Sequence, residues 1–153
     1  MTDINTGRET YKLRKSEIQV CLRVTEFECS PDEISKILSI TPSNTWLKGE
    51  LIDKIKRATI RHKQNGWEIC SRLFDESLNS YSELQPHISN VLDTVRPYRN
   101  NFKQLPSGSF VELSCVIYAY SEQTPAIHID AVSVYELAYI SASIDVDYYY
   151  LVD

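Results

Sequence analysis

Glycine is scarce in this sequence, four in 153 residues, and the four are widely separated. That excludes the glycine-rich loops whose backbone amides cradle phosphate in nucleotide-binding proteins. No apolar run approaches the roughly 20 residues that cross a bilayer, and the N-terminal stretch MTDINTGRETYKLRK lacks the apolar centre of a secretory leader. A membrane role is therefore not expected, and a cytoplasmic location is. Of the three histidines, His62 and His87 have no ligand-spaced partner and read as surface or helix-face residues, so the metal-ligand templates stay empty. Cys21, Cys29, Cys70 and Cys115 include no CxxC pair; three lie in apolar runs, and reduced, buried thiols are expected. No cofactor is expected.

What the chain does carry is an uneven charge. Residues 1–66 hold 12 cationic and 9 anionic side chains, whereas residues 67–153 hold 4 and 12, an excess of eight negative charges within a net charge of -5. An anionic C-terminal half repels nucleic acid and favours cationic partners, although simple solubility explains it equally well. The segment Lys48 to Lys63 gathers six basic residues against Glu50 and Asp53. Without interleaved aromatics it is a weak nucleic-acid signal.

Periodicity organises the chain as a polar extension over residues 1–15 followed by one α+β domain over 16–153. Ile18, Val20, Leu22 and Val24 alternate with polar residues as a half-buried strand requires. In SPDEISKIL, Ser30 at the N-cap, Pro31 at the first helical position and Glu33 form a capping box, with Ile34, Ile37 and Leu38 as the apolar stripe. Asn65-Gly66 predicts a tight hairpin between Thr59–Arg61 and Trp67–Cys70. Ser82 with Gln85 predicts a second capping box, opening a helix whose Ile88, Val91, Leu92 and Val95 face the core and which Pro97 kinks, with Tyr98, Phe102 and Leu105 continuing at helical spacing. FVELSCVIYAY predicts a strand and AIHI a shorter one. Asp130 caps a helix with Val134, Leu137, Ala138 and Ser141 on one side, and SIDVDYYYLV closes the chain as a strand. The expected architecture is a mostly antiparallel sheet with helices on one face, layered in the ferredoxin-like manner.

Three constellations could carry function. His128 and Asp130 with Asp145 and Asp147 would form a divalent-metal or acid-base site if their strands were neighbours. Against it, Asp130 is already a helix cap, and paired aspartates on a strand are usually a solvated face or an edge that deters aggregation. Cys115 with His128 as base is outweighed by inert packing, because Cys115 sits on the apolar phase of its strand. The third constellation is aromatic: ten tyrosines, among them Tyr118, Tyr120, Tyr135, Tyr139 and Tyr148 to Tyr150. Tyrosine combines a large apolar ring with a polar tip and is enriched where proteins meet proteins. Tyr118, Tyr120 and Tyr149 with Glu112, Asp145 and Asp147 are the expected partner-binding set. Trp46, in the loop TPSNTWLKG, is expected to fold back onto the core edge beside Trp67, with a small-ligand pocket between the two indoles as the alternative.

The segments SPDEISKILSITPSNTWLKGE, NGWEI, VELSCVIYAY, IHID and ASIDVDYYYLV, in this order, resemble the bacterial family named domain of unknown function four-two-seven-nine. The resemblance covers roughly residues 18–151 and implies a small cytoplasmic α+β domain to which no activity is assigned. It makes Trp46, Gly49, Gly66, Trp67 and Asp147 family positions. The sequence departs from simpler members in the basic insert between Gly49 and Gly66 and in its polar N-terminal extension. Three functions follow in rank order. The first is a non-enzymatic protein binder, its finer form an immunity protein that neutralises a cationic bacterial toxin. The second is a sensor using Trp46 and Trp67, and the third a metal-dependent hydrolase built on His128, Asp130, Asp145 and Asp147.

Overall fold

In a computed structural model, residues 16–52, 59–73, 83–120 and 124–151 are described. The extension expected over residues 1–15 lies outside them. The described chain forms five strands and three α-helices: β1 (Glu17–Thr25), α1 (Pro31–Leu38), β2 (Asn44–Trp46), β3 (Gly66–Cys70), α2 (Leu84–Val95), β4 (Phe110–Tyr120), α3 (Ala131–Tyr139) and β5 (Ser143–Leu151). They build a single five-stranded sheet in the order β2-β3-β1-β4-β5. All neighbours are antiparallel except β4 and β5, which run parallel and are joined through α3, as a parallel pair requires. The expected α+β architecture is the one observed.

Alternation in the sequence fixes which side chains meet the helices. Val20, Leu22 and Val24 of β1, Trp67 and Ile69 of β3, and Val111, Leu113, Cys115, Ile117 and Ala119 of β4 are buried on one face. Against them pack Ile34 and Leu38 of α1, Leu84, Ile88, Val91, Leu92 and Val95 of α2, and Leu137 of α3. Each valine, leucine or isoleucine among them, taken fully out of water, contributes about 1.5–3 kcal/mol. The indole of Trp67 is fully buried, and its Nε1 donates to Ser35 Oγ at 3.0 Å, which pins α1 to the sheet without leaving a polar atom unsatisfied.

The capping box at Ser30 is present in both directions: Ser30 Oγ accepts from the Glu33 amide at 3.3 Å, and the Glu33 carboxylate accepts from the Ser30 amide at 3.2 Å. Ser39 then ends α1 in the left-handed conformation, with φ 57°. Asp130 caps α3 by accepting from the Ser133 amide at 2.8 Å, and this bond holds its carboxyl below the usual aspartate range. Beyond Val95 the chain tightens into a 3₁₀ helix (Arg96–Gln104), because Pro97 has no N–H to extend the α-helical ladder. Phe102 is buried there, Leu105 half-buried and Tyr98 exposed.

Four local expectations are corrected. Asn65-Gly66 is not a hairpin turn: Gly66 begins β3, whose strand partner on that side is β2, with Trp46 opposite Gly66. The chain instead folds back between residues 49–52 and 60–62, where Gly49 donates to the His62 carbonyl, His62 to that of Glu50 and Ile52 to that of Ile60. Asn65 serves as a clasp, accepting from the Lys48 amide at 2.8 Å and donating to the Cys29 carbonyl at 3.0 Å. The expected box at Ser82 and Gln85 is not what opens α2. Ser82 lies outside the described residues, Glu83 occupies the N-cap without a side-chain bond, and Gln85 reaches across to α3, donating to Ser133 Oγ and accepting from the Asp130 amide. Residues 126–129, expected as a strand, are irregular. In α3 the buried side is Ser133, Glu136 and Leu137, not Val134 and Ala138. A fork from Arg96 to both oxygens of Glu136, at 2.5 and 3.2 Å, satisfies the carboxylate on this buried side.

Candidate functional site: the helix-free face of the sheet

Because side chains alternate along each strand, the residues not facing the helices form a second surface, and the register aligns them in rows across the sheet. One row runs Asn44, Glu68, Arg23, Glu112, Ser143; the next runs Cys70, Cys21, Ser114, Asp145. Beyond these lie Gln19, Val116 and Asp147, and then Glu17, Tyr118 and Tyr149. At the opposite end Trp46, Gly66, Thr25 and Phe110 align. Among the described residues no helix packs on this side.

All six residues of the expected partner-binding set stand on this face. Glu112, Tyr118 and Tyr120 come from β4; Asp145, Asp147 and Tyr149 come from β5. Tyr118 and Tyr149 are register partners and their rings stack, with centroids 5.3 Å apart and planes 16° from parallel. Tyr149 remains 48% exposed, so half of this aromatic pair is available for contact.

Charge on the face is strongly one-sided. Its strand positions carry Glu17, Glu68, Glu112, Asp145 and Asp147 against a single cation, Arg23. Arg23 is committed to Glu68, Nε to Oε2 at 2.7 Å, and Asn44 Nδ2 donates to the other oxygen at 3.5 Å. Glu112 is left to face its neighbours on β5. Partial burial is the main cause of a carboxyl pKa above the usual glutamate range, reinforced by Asp145 and Asp147 and only partly offset by Arg23. Asp145 and Asp147 are exposed. Glu17, Arg23 and Glu68 join this face without having been singled out in the sequence; the alternation of β1 and β3 was the signal that could have found them.

The other constellations separate. Trp46 rests on the helix-free face over Gly66, stacked on His62 with centroids 4.9 Å apart, whereas Trp67 is buried on the opposite face. The two indoles are on either side of the sheet, which corrects both the expected clasp of Trp46 on the core edge beside Trp67 and the pocket between them. His128 and Asp130 lie in and after an irregular segment; His128 lines a cavity of about 420 Å³ with Glu83, Gln85 and Pro125, apart from Asp145 and Asp147 on the strand surface. Among the described residues those four do not gather to metal-ligand distances; the group that does is Cys21, Glu68 and Cys70. Cys115 is fully buried, and burial, with the Asp145 charge, pushes its thiol up to about 12, so it packs as a protonated hydrophobe.

The expectation of four reduced cysteines is corrected for two of them. Cys21 and Cys70, register partners on β1 and β3, are joined by a disulfide on the helix-free face, while Cys29 and Cys115 are free. Widely separated cysteines gave no spacing signal for this pairing; only strand register brings them opposite each other.

Among the described residues no helix is long and apolar enough to cross a membrane. No curated protein and no solved structure matches the chain. A family model described as Domain of unknown function (DUF4279) matches residues 16–151, and the chain belongs to that family.

Proposed function

We propose that the helix-free face is a protein-binding surface for a cationic partner, and that the domain acts by capture rather than by catalysis. The finer reading is an immunity protein that occludes a basic bacterial toxin domain in the cytoplasm. One observation carries this: Glu112, Asp145 and Asp147 converge beside the stacked Tyr118 and Tyr149 on a surface no described helix covers. Interfaces of this kind combine rigid aromatic anchors with charges that steer encounter and reject wrong partners. Glu112 adds a particular argument. Its carboxyl is held among like charges, so an arriving guanidinium or ammonium relieves a repulsion already present in the free protein.

The test is co-purification from the native host with wild-type bait and with an Asp145→Lys/Asp147→Lys bait, the retained proteins being identified by mass spectrometry. A basic protein retained by the wild type and lost from the reversed bait is the expected result. Equal retention by both baits, or retention of acidic proteins, sinks the reading.

A further inference from the structure

The disulfide between Cys21 and Cys70 does not stand alone on its face. Glu68, two residues before Cys70 on β3 and so on the same side, brings a carboxylate oxygen to the two sulfurs; the three ligand atoms lie within 4.8 Å of one another. A cavity of about 260 Å³ opens beside them, walled by Cys21, Glu68, Cys70, Arg23 and, from α2, His87. We propose that Cys21, Cys70 and Glu68 form a redox-gated site for a zinc-like divalent cation, closed in the disulfide form and opened by a thiol reductant.

Opening is a two-electron exchange. A dithiol reductant attacks the Cys21–Cys70 bond, becomes a disulfide itself, and leaves a thiol on each of Cys21 and Cys70. Cation binding then displaces the two thiol protons to solvent, and the thiolates with the Glu68 carboxylate supply three anionic ligands. Two sulfurs at about 2.3 Å from a tetrahedral zinc stand roughly 3.7 Å apart. The bonded sulfurs reach that spacing by side-chain rotation once the disulfide is broken, and the Glu68 carboxylate already lies within 4.8 Å of both. Thiolate ligands favour zinc over magnesium or calcium, which prefer all-oxygen sites. A water in the adjoining cavity completes the coordination.

The surrounding charge suits a cation. Ser114 and Asp145 continue the row that holds the two cysteines, and Glu112 lies in the adjacent row. Arg23 is the one opposing charge, and it is already neutralised by Glu68 Oε2. The other oxygen, Oε1, accepts the 3.5 Å bond from Asn44, a long contact that a cation on this oxygen displaces. The ligands themselves are distinct from the partner-facing residues: they stand on β1 and β3, whereas the six partner-facing residues belong to β4 and β5 and contribute only the surrounding charge.

The full chain is purified in its oxidised form and after treatment with a phosphine reductant, and zinc is measured by elemental analysis after gel filtration and by competition with a chromophoric chelator. The reduced wild type is expected to hold one zinc per chain and to release it on reoxidation, while the oxidised form holds none. Glu68→Gln should weaken zinc by about tenfold or more, because a neutral amide replaces an anionic ligand. Cys29→Ser should leave zinc unchanged and Cys21→Ser should abolish it. Zinc on the oxidised protein, no zinc on the reduced protein, or zinc lost with Cys29 instead of Cys21 overturns the proposal. Should Cys21→Ser not fold, the reduced and oxidised wild-type comparison, with Cys29→Ser, decides.

Discussion

The indole of Trp46 occupies the space in which a β-carbon on residue 66 would stand: a methyl built on Gly66 falls 1.9 Å from Trp46 Cε2 and 2.0 Å from Cζ2. Gly66 is therefore required by a neighbour, not by its own backbone, since its φ is not positive while those of Gly49 and Gly108 are. Gly66→Ala must displace a ring that is half-buried and stacked on His62. We expect a loss of about 1–3 kcal/mol from the overpacking. In Gly66→Ala/Trp46→Ala the steric part disappears, so the double variant should be much less destabilised than the two single costs summed. Urea denaturation of the four proteins measures the coupling, and additive costs would show that ring and glycine do not interact.

The two tryptophans also give a spectroscopic check of the sheet's sidedness. With Trp67 fully buried and Trp46 half-exposed, Trp46→Phe should leave a blue-shifted emission that resists iodide. Trp67→Phe should leave a red-shifted, quenchable one and cost about 1–3 kcal/mol, through the lost volume and the lost partner of Ser35. Equal quenching in both variants would contradict the placement.

Much of this was legible in the sequence, and the reason differs by element. β1 and β4 alternate over most of their nine and eleven residues, and the Ser30 capping box is a local device that needs nothing from the rest of the chain. What misled was local chemistry overridden by distant contacts. Asn65 has the composition of a turn yet spends its amide on Cys29 and Lys48, and Gly66 answers to an indole twenty residues earlier. α3 is apolar nearly all round, so its orientation depends on the Arg96 fork to Glu136, a contact forty residues apart that no period encodes. The partner-facing set was legible because it needed only alternation within two strands. Its three carboxylates became one cluster only through the parallel pairing of β4 and β5.

That cluster makes a pH prediction. The Glu112 pKa is raised in the folded protein, by burial first and by Asp145 next. The protonated form is therefore the better tolerated one. The folded state bears no penalty below the unfolded glutamate pKa, about 4.3, and stability is lost as pH rises through the higher folded value. Glu112→Gln should be more stable than wild type at neutral pH, and the difference should vanish as pH falls below about 4. Denaturant titrations at several pH values test this; a Glu112→Gln variant that is less stable at pH 7 would mean that attraction to Arg23 dominates.

Reduction should loosen the fold measurably. The disulfide closes a loop with a sequence separation of 49 residues between β1 and β3. A chain-entropy treatment puts its contribution at about 4 kcal/mol, and 2–4 kcal/mol is typical. Denaturation midpoints with and without a phosphine reductant are expected to differ accordingly, and coincident curves would show that the pair is not bonded in solution.

The carboxylates of β5 offer the sharpest separation of binding from folding. Asp145 and Asp147 are exposed, and among the described residues neither takes part in an ion pair. Asp145→Lys/Asp147→Lys should therefore change stability by no more than about 0.5 kcal/mol, and removing their repulsion should lower the Glu112 pKa toward its ordinary value. Encounter with a cationic partner is a different matter. Losing two negative charges and gaining two positive ones should cut the association rate by about tenfold or more at low salt and flatten its salt dependence. Tyr149→Ala should act on the other rate: it removes a half-exposed ring stacked on Tyr118, so dissociation should quicken while association and its salt slope stay as in wild type. Surface-immobilised kinetics at two ionic strengths, with the partner recovered by co-purification, separates the two. An association rate indifferent to both charge reversal and salt would show that this acidic face is a solvated surface and not a docking one.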